Sequence, residues 1–111
     1  MPPADKTELL SGTLDLLILR VLSGGALHGF AIAERIHVVS KDVLKVEEGS
    51  LYPALYRMHE KGWIKSEWGQ SDKGRRAKFY QLTPAGRRQL EAEKELWSRL
   101  AGAIGAVLRN A

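Results

Sequence analysis

Apolar residues recur with helical spacing over the first forty positions. Leu14, Leu17, Ile18, Val21 and Leu22 fall at i, i+3, i+4, i+7 and i+8, which predicts a helix with one buried face. Ser11 or Thr13 is placed to cap its start, and Gly24-Gly25 ends it. Leu16 and Leu19 point off that stripe, and Asp15 and Arg20 are the only charges between positions 13 and 22. A helix this apolar on all sides needs a second partner, so Leu16 and Leu19 are expected at a subunit interface. After Ala26-Leu27-His28-Gly29, a second helix is expected over about 29–39, with Ile32, Ile36 and Val39 as its stripe. An extended piece, Val43-Leu44-Lys45-Val46, and a turn-like Glu47-Glu48-Gly49-Ser50 follow.

Pro53 locates the third helix. It has no N–H and is best tolerated in a first turn, so the cap is expected no earlier than about Gly49, with Ser50 as the capping side chain. The helix then runs to Lys61 and stops at Gly62. Leu51, Leu55 and Met58 share its inner face, and Ser50, Pro53, Tyr56 and Arg57 lie outside with Tyr52 at the edge. Residues 63–68 and 77–82 read as a hairpin, with Ile64 and Trp68 on one face and Tyr80 and Leu82 inward. The connecting loop, 69–76, is long for a hairpin turn. Thr83-Pro84 then opens a last helix that reaches about Arg109, roughly 26 residues or about 39 Å. Leu90, Trp97 and Ile104 are seven apart, as are Glu93, Leu100 and Val107. This is a coiled-coil-like seam, so Leu90, Trp97, Leu100, Ile104 and Val107 are expected to meet a second copy.

Charge adds direction to this outline. Residues 57–88 carry nine Lys/Arg and three acids, a balance of +6, whereas residues 1–56 carry five bases and seven acids. All the positive excess therefore sits between the end of the third helix and the start of the last one, the distribution expected of a surface that meets a polyanion. The chain has no cysteine, which excludes disulfides, thiolate metal sites and thiol nucleophiles. His28, His37 and His59 lack metal-ligand spacing. Gly69 and Gly74 have phosphate-loop spacing, but Arg75-Arg76 follows where Lys-Ser/Thr is needed. There is no Gly-x-Ser-x-Gly. The expectation is a protein that is not an enzyme and uses no metal or cofactor. The N-terminus lacks the layout of a signal peptide. The longest uncharged apolar stretch near the end, Leu100 to Leu108, has nine residues, too few to cross a bilayer. A cytoplasmic protein that does not engage membrane is expected.

The order helix, helix, extended piece, helix, hairpin, helix is that of a winged helix-turn-helix, mainly α with a small β-hairpin. Residues 1–8 are read as a flexible N-terminus, 9–83 as the DNA-binding domain and 84–111 as the dimerisation helix. A major groove admits one helix, and the third helix offers it a slim polar face. Ser50, Tyr52, Pro53, Tyr56 and Arg57 are its candidate contacts, with Arg57 suited to guanine or phosphate. Lys73, Arg75, Arg76 and Lys78 form a basic wing suited to backbone or minor groove. Two other readings share these residues: a winged-helix module whose basic face binds an acidic protein without specific DNA binding, and a membrane-surface use of the apolar C-terminal end.

Four segments carry a family resemblance: Leu27-His28-Gly29-Phe30, Glu48 to Arg57 with its Gly-Ser-Leu-Tyr-Pro-Ala-Leu-Tyr run, Glu60-Lys61-Gly62-Trp63-Ile64, and Gly74 to Gly86. On these the chain resembles the PadR family of bacterial regulators, over most of residues 9 to 90. The resemblance implies a dimeric repressor on pseudo-palindromic double-stranded operators. It also implies that Trp97 matches a tryptophan which, in some members, stacks on planar hydrophobic effectors at the dimer centre. Plain interface packing is the other reading of Trp97.

Overall fold

The computed structural model describes residues 6–111, with side chains from Thr13 onward. Seven elements follow in order: α1 (Lys6–Leu22), β1 (Leu27–His28), α2 (Gly29–Val39), α3 (Glu48–Glu60), β2 (Ile64–Gln70), β3 (Arg76–Leu82) and α4 (Pro84–Asn110). This is the expected winged helix-turn-helix with a long final helix. The start of α1 differs from expectation. Residues 6–8 of the expected flexible segment are helical, and Ser11 and Thr13 lie inside the helix instead of capping it. Lys6, Glu8, Leu9 and Leu10 are good helix formers, so the helix begins before the hydroxyl residues. The remainder of that flexible segment, residues 1–5, lies outside the described residues.

One core joins all the helices. Leu14, Ile18, Leu19 and Leu22 of α1 meet Ile32 and Ile36 of α2, Leu51, Leu55 and Met58 of α3, Ile64, Tyr80 and Leu82 of the sheet, and Leu90 of α4. Two residues expected at a subunit seam are thus inside the protomer: Leu19 is 0% exposed and Leu90 is 5% exposed. The inference from α1 fails at Leu19 because this chain does supply the second partner. The helix touches α2, α3, α4 and β3 at once, so its apolar residues find cover on several sides. Leu16 remains half-buried.

The sheet has three strands rather than two, in the order β1-β3-β2. The third is the two-residue β1, which pairs Leu27 with Tyr80 and His28 with Phe79. A strand this short has no readable alternation, and it is formed only because β3 presents a free edge. His28 then caps α2, its Nδ1 accepting from the Ala31 N–H at 3.3 Å. The hairpin register pairs Ile64 with Leu82 and Gln70 with Arg76. Alternation therefore sets Ile64, Ser66, Trp68 and Gln70 on one face with Leu82, Tyr80, Lys78 and Arg76. Trp68 shares the face of Ile64 as expected, yet it is 57% exposed. The hairpin runs past the edge of the core, so one face begins apolar at Ile64 and ends basic at its tip.

Thr83 ties the hairpin to α4. Its hydroxyl accepts from the Gly86 N–H at 3.0 Å and donates to the Gly62 carbonyl at 2.6 Å, while its own N–H reaches the Trp63 carbonyl at 3.1 Å. The end of α3 and the start of α4 are fixed at one point.

Candidate nucleic-acid interface

The first turn of α3 begins earlier than the proline predicts. Glu47 is the cap residue, without a side-chain capping bond, and its carbonyl accepts from the Ser50 and Leu51 N–H groups at 3.0 and 2.9 Å. Ser50 is therefore inside the helix, and Pro53 lies in the second turn rather than the first. The proline leaves the Gly49 carbonyl without its intrahelical donor. Gly49 is exposed, so solvent can satisfy that group and the helix runs through.

Beyond that turn, α3 divides as expected. Leu51, Ala54, Leu55 and Met58 are buried. Tyr52, Pro53, Tyr56 and Arg57 are exposed and Ser50 is half-buried. Tyr56 is 72% exposed, against 46% for Tyr52. Tyr52 leans toward α2: a Cβ on Gly29 would lie 2.6 Å from its hydroxyl, so only glycine at the start of α2 leaves the phenol its place. Gly29 enters the site by omission, as space for Tyr52.

The wing is a tight hairpin tip rather than the long loop that the sequence suggests, because β2 and β3 extend to Gln70 and Arg76. The Gly74 N–H donates to the Ser71 carbonyl at 2.9 Å, and the Ser71 N–H donates to the Arg75 carbonyl at 2.8 Å. Gly74 has φ +75°, the left-handed position that closes such a turn and favours glycine. Lys73, Arg75, Arg76 and Lys78 are all exposed. The Arg76 guanidinium lies over the Trp68 ring, 4.6 Å from its centroid, a cation–π contact that orients the charge without neutralising it. Among the described residues no acid lies within ion-pair distance of any of these four cations.

Arg57 differs. Its Nη2 donates to Asp15 Oδ1 at 2.6 Å, joining α3 to α1. In the sequence Asp15 is one of two charges on an otherwise apolar helix segment. That isolation was the signal that it serves another element. Alternation groups Trp68 only with Ile64, whereas the structure sets it beneath Arg76 of the wing.

The outer part of α4 carries an apolar stripe left uncovered by the described residues. Trp97, Leu100 and Ile104 are each nearly half-exposed, and Val107 is more so. Leu90, at the inner end of the same seam, is the point where α4 docks on the body. Among the described residues no helix is long and apolar enough to cross a membrane, and no group of three or more potential ligands could hold a metal ion.

Comparison with known proteins adds independent evidence. The model of the transcriptional regulator PadR-like family matches residues 18–92. A PadR-like transcriptional regulator from Bacillus cereus superposes with a TM-score of 0.80 at 28% identity, covering 94% of this chain and 99% of that one. A PadR family transcription regulator from Clostridium difficile gives a TM-score of 0.72 at 34% identity, covering 86% and 97%. The transcriptional regulator Rv3488 of Mycobacterium tuberculosis is 31% identical over 85% of this chain and 84% of its own length. A 37.1 kDa protein in transposon TN4556 of Streptomyces fradiae is 40% identical over 80% of this chain, which spans only 24% of that longer protein.

Proposed function

The chain belongs to the PadR-like family of transcriptional regulators, whose members are not enzymes, and from that premise we propose that it is a dimeric cytoplasmic repressor that binds double-stranded DNA. The observation that carries this reading is the exposed outer side of α3 together with the exposed basic wing, carried on a hairpin whose strand β2 packs on α3. Pro53 and Tyr56 present a compact ring and a hydroxyl to the width of a major groove, with half-buried Ser50, and Tyr52 whose hydroxyl lies against α2, at the edge of that face. Arg75, Arg76, Lys73 and Lys78 follow on the adjoining hairpin, free of acidic partners among the described residues. Phosphate contacts from the wing supply affinity, and the α3 face sets register and reads the site.

Dimerisation supplies the second half-site. The stripe Trp97, Leu100, Ile104 and Val107 leaves large side chains in water at heptad spacing, and a second copy of α4 covers them with matching geometry. Two α3 helices held about 34 Å apart meet the same face of B-DNA one turn apart. A lone helix is convex, so a flat pocket at Trp97 exists only between two copies. A planar hydrophobic effector bound there acts by altering the separation of the two α3 helices.

The test is a salt titration of duplex binding by fluorescence anisotropy, comparing wild type with the double variant R75A/R76A. The variant should bind every duplex more weakly, and its log–log salt slope should be shallower by about 3.6, since the dimer loses two arginines from each protomer at about 0.9 per lost phosphate contact. Unchanged affinity and slope would remove the wing from the mechanism. Footprinting of genomic fragments selected by the wild type should give a two-fold symmetric site.

A further inference from the structure

Resting on the DNA-binding reading above, we propose that Asp15 is a positioning residue that withholds Arg57 from the phosphate backbone and so limits sequence-blind affinity. Arg57 is the one cation assigned to the DNA surface that has an acidic partner among the described residues. The contact is short, 2.6 Å, and it bridges elements 42 residues apart in sequence. The two partners are unequally solvated: the Asp15 side chain is 17% exposed and that of Arg57 is 46% exposed. A carboxylate so far removed from water is poorly satisfied without its guanidinium, and charge-assisted bonds of this length are the strong ones. The residues that follow it on α1, Leu16 to Leu19, are apolar. The nearest other charge on that stretch, Arg20, directs its guanidinium to Ser23 Oγ at 2.9 Å.

The consequence is a division of labour among the cations. The wing cations are free to take phosphates of any sequence. Arg57, on the side of α3 that meets α1, has one N–H donor engaged by the protein. Four further N–H donors of the fork remain. The carboxylate next to it repels phosphate and satisfies the charge that phosphate would otherwise neutralise. Discrimination is a difference between affinities, and a carboxylate set against the sequence-independent mode widens that difference.

The experiment measures binding of the full-length protein to a random-sequence duplex across a salt series, for wild type, D15N, D15N/R57Q and E95Q. With the carboxylate's charge removed, Arg57 of each protomer takes a phosphate, so D15N should bind random duplex about fivefold more tightly, with a salt slope steeper by about 1.8 for the dimer, at about 0.9 per contact. D15N/R57Q should return to the wild-type slope. E95Q removes an equal charge from an exposed position on α4 and should leave the slope unchanged. Should D15N not fold, as judged by its thermal melt, D15S provides the same measurement with a smaller polar side chain. A slope for D15N equal to wild type overturns the proposal, as does a steeper slope that persists in D15N/R57Q or is matched by E95Q. Wild type that binds no duplex at all overturns the underlying DNA-binding reading, a result distinct from any of these.

Discussion

Tyr80 shows how a single side chain ties the sheet to the site. It is 8% exposed, and burial first and the neighbouring Tyr52 second raise its pKa above the ordinary tyrosine value of 10.0. The folded protein therefore holds the phenol proton at pH values where the unfolded chain releases it. Stability from this group is complete below about pH 10 and is lost as pH rises toward the folded value. Chemical denaturation between pH 8 and pH 11 should show wild type losing stability above about pH 10, and Y80F losing less; equal losses would show that burial of Tyr80 is not responsible. At Arg57 the sequence showed the residue and its exposure but not its partner. Asp15 lies 42 positions away, and no local pattern joins an acid on α1 to a cation on α3.

Among the elements, the junction of α3, β2 and α4 depends on one hydroxyl. Thr83 caps α4 and also donates to the Gly62 carbonyl. T83A removes both bonds, and cap removal alone costs about 1 kcal/mol, rarely above 2. A thermal melt should place T83A lower by several degrees. T83S keeps the oxygen and should recover most of the loss; a T83A melt equal to wild type would show the cap to be dispensable. The element boundaries that the sequence placed well are those with such local chemistry: Thr83-Pro84 for α4 and Gly62 after α3. It placed poorly those decided by neighbours. The strand β1 exists through the edge of β3, and the start of α3 at Glu48 precedes what Pro53 suggests because an exposed carbonyl tolerates the missing donor.

For the whole molecule, the elongated outline of 53 × 33 × 23 Å reflects α4, whose inner end is anchored by Leu90 while Trp97, Leu100, Ile104 and Val107 stand in solvent. The dimer reading belongs to this scale. I104E puts a charge at the middle of the seam, and a buried unpaired carboxylate there is strongly unfavourable. Analytical ultracentrifugation should find wild type dimeric and I104E monomeric, with circular dichroism of the winged domain retained. A wild-type monomer, or an I104E dimer of equal affinity, would rule out this seam. Loss of the dimer should also weaken operator binding far more than binding to a single half-site.

Local rules were enough to establish the helix periods, the hairpin, the α4 cap and the charge excess over residues 57–88, because each depends on residues close together along the chain. The winged helix-turn-helix was legible for the same reason. Tertiary structure alone assigned Leu19 and Leu90 to the protomer's core, carried the apolar face of the hairpin out to a basic tip at Trp68 and Arg76, and paired Asp15 with Arg57. Each of these depends on which surfaces lie within a few ångströms in space. Periodicity reports that a side of a helix is apolar, whereas packing determines what covers it.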